Sequence, residues 1–388
     1  MLSSHRIVIA GASIAGLTTA ESLRQEGFEG EIILLGDERH LPYMRPPLSK
    51  QLLSGEWEPD RAAIKTKAEL ENLEIQFHGS SPALKLDLKK RVVVTPSGPQ
   101  RFDDLVIATG ARARQLSFGS VRTLRTLDDA VSLSSDLHLA KKVIVIGTGV
   151  LGSEISSSAR ALGSDVVMIG QSAGMSFGSV GQALSPQICE IHEENGVGLR
   201  LDTNVIDVIS GPDGVKVRLE TEEVICADLA VAAIGAIACT EWLRGSGLTV
   251  SDGVVCGHNG LAAPGVYAVG DVAAWRNPAT GSALRMQHQT SAIEQAMTVA
   301  GVIVKNSTPK YSIPFFWSEI HKVSIKAYGW FEGGPLTEIR SQGNPGLMFS
   351  AHSKGDVTGV VSLGSSLGDF RTARALVDES SKKLYVNR

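Results

Sequence analysis

The fold of this chain is decided by one stretch, HRIVIAGASIAGLTTAESLRQEGFEGEIILLGDE, from His5 to Glu38. A β-branched run comes first, then a glycine-rich turn, a helix-like stretch and a second apolar strand. The same order returns inside the chain as KKVIVIGTGVLGSEISSSARALGSDVVMIGQS, from Lys141 to Ser172. Strand, turn, helix and strand in this order open a doubly wound α/β sheet. The sequence therefore predicts two related nucleotide-binding units.

The glycines of both turns occupy places that have physical reasons. The first makes the tight turn, the middle one lets a phosphate approach the backbone, and the last lets the helix pack closely on the strand. The helix N-terminus then offers its free amides to a pyrophosphate. The second copy is complete, GTGVLG at 147–152, whereas the first, GASIAG at 11–16, carries Ser13 in the middle. A serine side chain can turn away from the phosphate, so we expect a dinucleotide at both turns.

The two copies differ at the end of their second strands. Asp37 falls 21 residues after Gly16, where a carboxylate can accept hydrogen bonds from an adenosine ribose. The second copy has Gly170, Gln171 and Ser172 there, with neither an acid for a free 2′-hydroxyl nor an arginine for a 2′-phosphate. NADH and NADPH therefore both stay open for the second site.

Length and composition indicate a globular protein of two to three domains, since 388 residues divide into domains of about 150. A net charge of −4 gives no basic field for nucleic acid, and no apolar run reaches the ~20 residues of a membrane span.

The run HEEN at 192–195 lacks the second histidine of a zinc protease helix and is interpreted as a solvated face, so no metal is predicted. The scattered cysteines favour a reducing, cytoplasmic setting; they are Cys189, Cys226, Cys239 and Cys256.

Four further segments carry a resemblance to a known family. LVIATGAR at 105–112 and GVYAVGDVAAW at 265–275 each end a strand in a glycine turn, and PYMRPPLSK at 42–50 and PFFWSEIH at 314–321 are more specific. With them the chain resembles the FAD-dependent NAD(P)H:ferredoxin reductases of the putidaredoxin and rubredoxin reductase type. These belong to the pyridine nucleotide-disulfide oxidoreductase superfamily but lack its redox cysteines. The first cysteine here, Cys189, comes far too late for a thiol relay.

The resemblance implies an α/β fold with two Rossmann-like dinucleotide-binding domains of the glutathione reductase type and a smaller C-terminal α/β domain. The FAD-binding domain would span residues 1–112 and 236–308. The NAD(P)H-binding domain would span 113–235, and a C-terminal interface domain would span 309–388.

The resemblance also implies the site residues. Lys50 would reach toward the flavin ring and pair with Glu154 as the catalytic pair near flavin N5, and Trp317 would lie close to the flavin. The helix after Asp271 would aim its positive end at the flavin N1–C2 region, although Gln287 and Gln289 depart from the family pattern. The other FAD residues would be Gly11, Ser13, Ala15, Gly16, Asp37, Arg45, Ala83, Thr109, Gly110, Arg125, Gly270, Asp271 and Gln289. NAD(P)H would be held by Gly147, Gly149, Leu151, Gly152, Gln171 and Gly235.

The implied activity is electron transfer from NADH or NADPH, through flavin N5 of FAD, to a one-electron [2Fe–2S] ferredoxin. That ferredoxin would serve a cytochrome P450 or a Rieske-type ring-hydroxylating oxygenase, and the enzyme would be a monomer or homodimer. Two alternatives stay open. One is a flavoprotein that reduces quinone or oxygen directly, and the other is a non-catalytic regulatory flavoprotein of the apoptosis-inducing-factor type.

Overall fold

The protein is described by a computed structural model over residues 5–119, 121–212, 214–277, 281–308, 313–331, 336–339, 346–353 and 355–386. Its backbone divides into two compact units, each assembled from separate stretches of chain. The first comprises Met1–Met44, Asp60–Arg112 and Ala236–Ser312, and the second comprises Arg45–Pro59, Ala113–Gly235 and Ile313–Arg388. The two glycine turns therefore lie in different units.

A six-stranded sheet forms the centre of the first unit. Five neighbouring strands are parallel and a short antiparallel strand lies at one edge. In spatial order the strands are Leu261–Ala263, Val266–Ala268, Asp104–Ile107, Arg6–Ala10, Glu31–Leu35 and Ile75–His78. Parallel strands covered on both faces need apolar residues throughout, which is why Ile7, Val8 and Ile9 are all fully buried.

Three α-helices lie in the described part of this unit. Helix α1, Ile14–Gln25, follows the central strand and packs against α6, Gln289–Lys305. Helix α2, Lys67–Asn72, precedes strand Ile75–His78.

Smaller antiparallel or mixed sheets also belong to the first unit. Their strands are Lys85–Asp87, Val92–Thr95 and Gly98–Arg101, and then Val250–Ser251, Gly253–Cys256, Ala273–Arg276 and Ala283–Arg285. Two short strands, Ala111–Ala113 and Ala236–Ala238, stand where the chain changes unit.

The second unit contains a parallel sheet of the same kind. Its strands in spatial order are Val197–Arg200, Asp165–Ile169, Lys142–Ile146, Leu229–Ala232 and Arg122–Thr123. Its helices are α3, Leu127–Leu139, α4, Val150–Ala161, and α5, Gly181–Glu194. A three-stranded antiparallel sheet of Val205–Gly211, Gly214–Leu219 and Val224–Ala227 accompanies them.

The C-terminal part of the second unit is an antiparallel sheet with one helix. In spatial order its strands are Phe315–Ile320, Val323–Gly329, Asp356–Leu363, Leu347–Ser353 and Thr337–Ile339. Helix α7, Leu367–Val386, packs on this sheet through Phe370, Ala373 and Val377.

The predicted α/β class, with two Rossmann-like sheets and a smaller C-terminal α/β part, is confirmed. The boundaries of the three predicted domains stay a prediction. None of the helices in the described part of the chain is both long and apolar enough to cross a membrane.

Candidate functional site

The glycine turn of the first unit is too tight for a side chain at two places. Gly11 has a φ of 119°, and its amide donates to the carbonyl oxygen of Leu35, 2.8 Å away. A Cβ built on Gly11 would lie 2.1 Å from the carbonyl oxygen of Ala108, and one built on Gly16 would lie 1.8 Å from that of Gly11. Helix α1 therefore starts directly at the carboxyl edge of the sheet, where its first amides have no intrahelical partners.

The turn of the second unit repeats this geometry. Gly147 has a φ of 115°, and a Cβ built on Gly152 would lie 2.1 Å from the carbonyl oxygen of Gly147. Gly149, the N-cap of α4, is different. A Cβ there would meet, among the described atoms, only the carbonyl oxygen of Ser176 at 3.4 Å. The packing of the protein itself does not require a glycine at 149, so its small size leaves room for a phosphate beside the helix amides. Leu151 is the second residue of this helix.

Four predicted FAD residues follow four consecutive parallel strands of the first unit. In spatial order they are Asp37, Gly11, Thr109 and Gly270. Neighbouring strands lie about 4.8 Å apart, so this row crosses about 14 Å of the sheet edge. An extended dinucleotide can lie along such a row, in the crevice outside the carboxyl ends of the strands.

Asp37 stands exposed at one end of this row. It lies close enough to Cys239 to act on its thiol, whose pKa is raised by burial first and then by the negative charges of Glu241 and Asp37. The Thr109 hydroxyl donates to the carbonyl oxygen of Cys239 at 2.8 Å, and the Cys239 amide donates to the carbonyl oxygen of Gly110 at 3.0 Å. These bonds fix the side chain of Thr109 and the carbonyl group of Gly110, two predicted FAD residues.

The short 3₁₀ turn Gly270–Val272, at the other end of the row, is held against helices α1 and α6. A Cβ on Gly270 would lie 2.9 Å from that of Ala15, and the Gly270 amide donates to Oε1 of buried Gln295 in α6 at 2.8 Å. Nη1 of Arg285 donates to the Asp271 carbonyl oxygen at 3.3 Å. The turn is thus fixed from both sides. The other predicted FAD residues of this unit are Ser13, the N-cap of α1, Gln289, the first residue of α6, and Ala83, which packs on the core.

In the second unit, the structure brings Arg45 and Arg125 together. Nη1 of Arg45 donates to the carbonyl oxygen of Arg125. The Arg125 backbone is fixed in turn by the cap of α3, because the carboxylate of Asp129 accepts from the amides of Arg125 and Thr126 at 3.0 and 2.9 Å. The Thr126 hydroxyl accepts from the Asp129 amide at 3.1 Å, which completes a capping box.

The side chains of Ser49 and Ser318 join the predicted catalytic pair of Lys50 and Glu154, and we call these four residues the Glu154 cluster. Nζ of Lys50 lies 2.6 Å from Oε1 of Glu154. The hydroxyl of Ser49 donates to Oε2 at 2.5 Å, and that of Ser318 donates to Oε1 at 2.6 Å. Glu154 is only 8% exposed, so burying its charge requires these three donors.

Trp317 stands beside this cluster. Strand Phe315–Ile320 turns Ser318 inward and leaves Trp317 45% exposed, as the alternation of a strand requires. Nζ of Lys50 lies 5.6 Å from the centre of the Trp317 ring, which is within cation–π range. Ser49 and Ser318 belong to the two specific motifs PYMRPPLSK and PFFWSEIH, but their sequence alone did not predict them as partners of Glu154.

The end of strand Asp165–Ile169, predicted to meet the NAD(P)H ribose, bonds to the backbone of Arg200, whose guanidinium is paired with Glu223. The Gly170 amide donates to the Arg200 carbonyl oxygen at 2.9 Å, and Gln171 is exposed. Nε of Arg200 donates to both carboxylate oxygens of Glu223 at 3.1 Å. Gly235 has a φ of 101°, and a Cβ there would meet none of the described atoms within 4 Å. A planar ring can therefore approach its backbone closely.

The interpretation of 192–195 as a solvated face is wrong at His192, which is fully buried. Its Nδ1 lies 3.1 Å from Nε2 of His321, and burial first, then His321, lower the pKa of His192 to about 3. The next three residues are exposed as expected. The missed signal is the spacing of Leu184, Ile188 and His192, four residues apart and all fully buried on one face of α5.

Two glycine turns, each at the carboxyl edge of its own parallel sheet, define a protein that binds two dinucleotides. The family model of the pyridine nucleotide-disulphide oxidoreductases matches residues 5–296. The chain belongs to this family.

Named relatives agree with that membership. The chain is 32% identical to rhodocoxin reductase of Rhodococcus erythropolis, over 88% of this chain and 82% of the relative. It is 31% identical to the ferredoxin–NAD(+) reductase component of the p-cumate 2,3-dioxygenase system of Pseudomonas putida, over 97% and 94%. The crystal structure of the ferredoxin reductase for the CYP199A2 system from Rhodopseudomonas palustris superposes with a TM-score of 0.91, at 28% identity over 97% and 95%. The resemblance inferred from the motifs is confirmed.

Proposed function

We propose that this chain is an NADH-dependent, FAD-containing ferredoxin reductase. It passes electrons from NADH to a one-electron [2Fe–2S] ferredoxin, which serves a cytochrome P450 or a ring-hydroxylating oxygenase. The observation that carries the proposal is the pair of equivalent glycine turns, because transfer from one dinucleotide to another needs two such sites. The acceptor is proposed from the relatives, one a component of a dioxygenase system and one the reductase of the CYP199A2 system.

The first unit fits FAD. Its row of strand ends runs from the carboxylate of Asp37, for the adenosine ribose, through the first amides of α1, for the pyrophosphate, to Gly270 and Asp271. When bound, FAD supplies the conversion between a two-electron donor and a one-electron acceptor. The protein's own contribution is to fix the cofactor's position and the charges around it.

In the second unit, Lys50 and Glu154 are the proposed catalytic residues. Glu154 holds the Lys50 ammonium at one point, and the hydroxyls of Ser49 and Ser318 keep the carboxylate from rotating. Ser49 is itself fixed, because the Ser158 hydroxyl of α4 donates to its carbonyl oxygen at 2.7 Å. A proton carried on Nζ of Lys50 is thereby kept in one place, as proton transfer to a reacting group requires. The placement of flavin at Lys50 and Trp317 is part of the proposal.

NADH is the proposed donor at the second turn. Its pyrophosphate meets the amides at the start of α4 beside Gly149, and its ring passes the open backbone of Gly235. The exposed amide of Gln171 can hydrogen-bond a ribose hydroxyl, while the guanidinium of Arg200 is engaged by Glu223. This arrangement suits a free 2′-hydroxyl better than a 2′-phosphate.

The proposal includes the domain organisation, the location and the oligomeric state of the protein. The chain would consist of an FAD domain at 1–112 and 236–308, an NADH domain at 113–235 and an interface domain at 309–388. It works in the cytoplasm, where NADH is available and free thiols such as those of the four cysteines persist. It acts as a monomer or homodimer.

Anaerobic mixing of the FAD-loaded chain with NADH tests the proposal. We expect the visible absorbance of the flavin to bleach within seconds, and a panel of [2Fe–2S] ferredoxins to include one that greatly accelerates turnover. Flavin that stays oxidised for many minutes would point to the regulatory alternative. Fast turnover with quinone or oxygen and no gain from any ferredoxin would point to the direct reductase.

A further inference from the structure

His321 lies in the two-residue turn that joins strand Phe315–Ile320 to strand Val323–Gly329. His321 and Lys322 both have a positive φ, of 47° and 64°. Glycine and asparagine usually fill such a turn, because a larger side chain in the left-handed region costs free energy. Contacts between this turn and the rest of the second unit therefore have to offset that cost.

Two helices supply these contacts. On α4, the hydroxyl of Ser157 accepts a hydrogen bond from the His321 amide at 2.7 Å. On α5, Nδ1 of buried His192 lies 3.1 Å from Nε2 of His321, and the two rings meet edge to face with their centres 5.0 Å apart. Burial is the first cause that lowers the pKa of both histidines, followed by His321 for His192 and by Arg160 for His321. Both rings are therefore neutral near pH 7, where one can donate a hydrogen bond and the other can accept it.

The strand that ends at this turn is an edge strand. Among the described strands, Phe315–Ile320 pairs with a single neighbour, so its contacts with α4 help to decide where its side chains lie. The Ser318 hydroxyl donates to Glu154 of α4. The His321 amide reaches Ser157, which lies one turn further along the same helix. The strand is thus held on α4 at two places.

We propose that His321 is a positioning residue for the reduction of the flavin by NADH. Held by Ser157 and His192, it fixes the end of the strand, which keeps Ser318 in the Glu154 cluster and Trp317 beside it. It acts through these two side chains and does not touch the reacting atoms. The inference rests on the proposed function, because it requires flavin at the Glu154 cluster and NADH as the donor.

Matched substitutions within the turn test the proposal. His321→Asn keeps a residue that tolerates a positive φ, but its side chain is too short to reach His192. We expect flavin reduction at saturating NADH, followed by anaerobic stopped-flow absorbance, to slow about fivefold, as for the loss of one hydrogen bond between neutral groups. The Kd for NADH should not change, because the coenzyme is placed at the start of α4. His321→Gln, whose amide can reach the place of imidazole Nε2, should recover most of the rate. Lys322→Asn, at the exposed neighbour in the same turn, should match the wild type.

Two further measurements separate positioning from a general loss of structure. In a double-mutant cycle, the combined variant Ser318→Ala, His321→Asn should be no slower than Ser318→Ala alone, because both changes act on one carboxylate. Amide hydrogen exchange of the oxidised, FAD-loaded chain should be faster at 315–321 in His321→Asn and unchanged in Lys322→Asn. If His321→Asn does not bind FAD, Ser157→Ala, which removes the acceptor of the His321 amide, replaces it in all three measurements.

An unchanged reduction rate in His321→Asn overturns the proposal, as does a change confined to the Kd for NADH. Full additivity with Ser318→Ala would show that His321 does not act through Ser318, and unchanged exchange would show that it does not hold the strand. The exchange measurement needs no NADH. A wild-type flavin that NADH does not reduce would therefore contradict the proposed function, while the exchange of His321→Asn would still decide whether His321 holds the strand.

Discussion

Ser318 and Lys50 bind the same carboxylate oxygen: the Ser318 hydroxyl and the Lys50 ammonium each lie 2.6 Å from Oε1 of Glu154. One residue comes from the C-terminal sheet and the other follows the 3₁₀ turn Pro46–Ser49. The orientation of the carboxylate is therefore set from two sequence-distant segments at once.

Removing the Ser318 hydroxyl should disturb that orientation. A hydrogen bond to a charged group contributes about 1.5–3 kcal/mol, so Ser318→Ala should slow reduction of the flavin by NADH about tenfold or more. Stopped-flow absorbance under anaerobic conditions measures this rate. Ser135→Ala, on the exposed face of α3, is the control, and equal rates for the two variants would argue against the orienting role.

Removing Lys50 should destabilise the second unit. Lys50→Met leaves the buried carboxylate of Glu154 without its cation, and breaking such a pair costs about 3–5 kcal/mol. The double variant Lys50→Met, Glu154→Gln should recover most of this stability, because no buried charge remains. Thermal unfolding of the FAD-loaded proteins gives the comparison. Equal loss in the single and double variants would mean that the pair is not the cause.

Gly149→Ala separates ligand binding from folding. The Cβ of the new alanine meets nothing closer than 3.4 Å among the described atoms, so the chain should fold and hold FAD as before. The KM for NADH should rise about tenfold, because the methyl group occupies the place of the pyrophosphate. Gly152→Ala, whose Cβ would lie 2.1 Å from a carbonyl oxygen, should misfold. Gly211→Ala, in open space, is the neutral control. An unchanged KM in Gly149→Ala would place the coenzyme elsewhere.

Gln171→Asp should sharpen the choice of coenzyme. A carboxylate there accepts hydrogen bonds from a free 2′-hydroxyl and repels a 2′-phosphate. The ratio of kcat/KM for NADH to that for NADPH should rise about tenfold or more, and steady-state kinetics with both coenzymes measures it. Glu223→Gln, which loosens the guanidinium of Arg200, should move the ratio the other way. Two unchanged ratios would contradict the assignment of this strand end.

The buried His192 predicts a pH dependence of stability. Its pKa is about 3 in the folded chain and about 6.5 when unfolded, so between these values only the unfolded chain binds a proton there. The contribution of His192 to stability is complete above pH 6.5 and is lost as the pH falls toward 3. The melting temperature should therefore fall less steeply from pH 6.5 to 4.5 in His192→Gln than in the wild type or in the exposed-site control His258→Gln. Parallel curves for all three would refute the assignment.

The sequence predicted most of what depends on local pattern. The two turns and their sheets follow from the spacing of the first and last glycines, where a Cβ would collide with backbone, and the Lys50–Glu154 contact follows from the family motifs. The hydrogen bonds from the hydroxyls of Ser49 and Ser318 to Glu154 were not predicted, because the polar atoms that meet a buried carboxylate depend on the packing of segments distant in sequence. His192 was misjudged because its polar neighbours in sequence outweighed its four-residue spacing from Ile188.

The turns of the two sheets match closely, since a methyl group at Gly16 or Gly152 would collide with a backbone oxygen at 1.8 or 2.1 Å. A duplicated unit of this kind cannot replace the last glycine of its turn without losing its architecture, whereas the middle position is Ser13 in one copy and Gly149 in the other. The strand ends diverge as well, and there Asp37 and Gln171 are both exposed. Coenzyme preference can therefore evolve on this scaffold. A few substitutions at the exposed strand ends can change which coenzyme is bound, while the glycines that folding requires are kept.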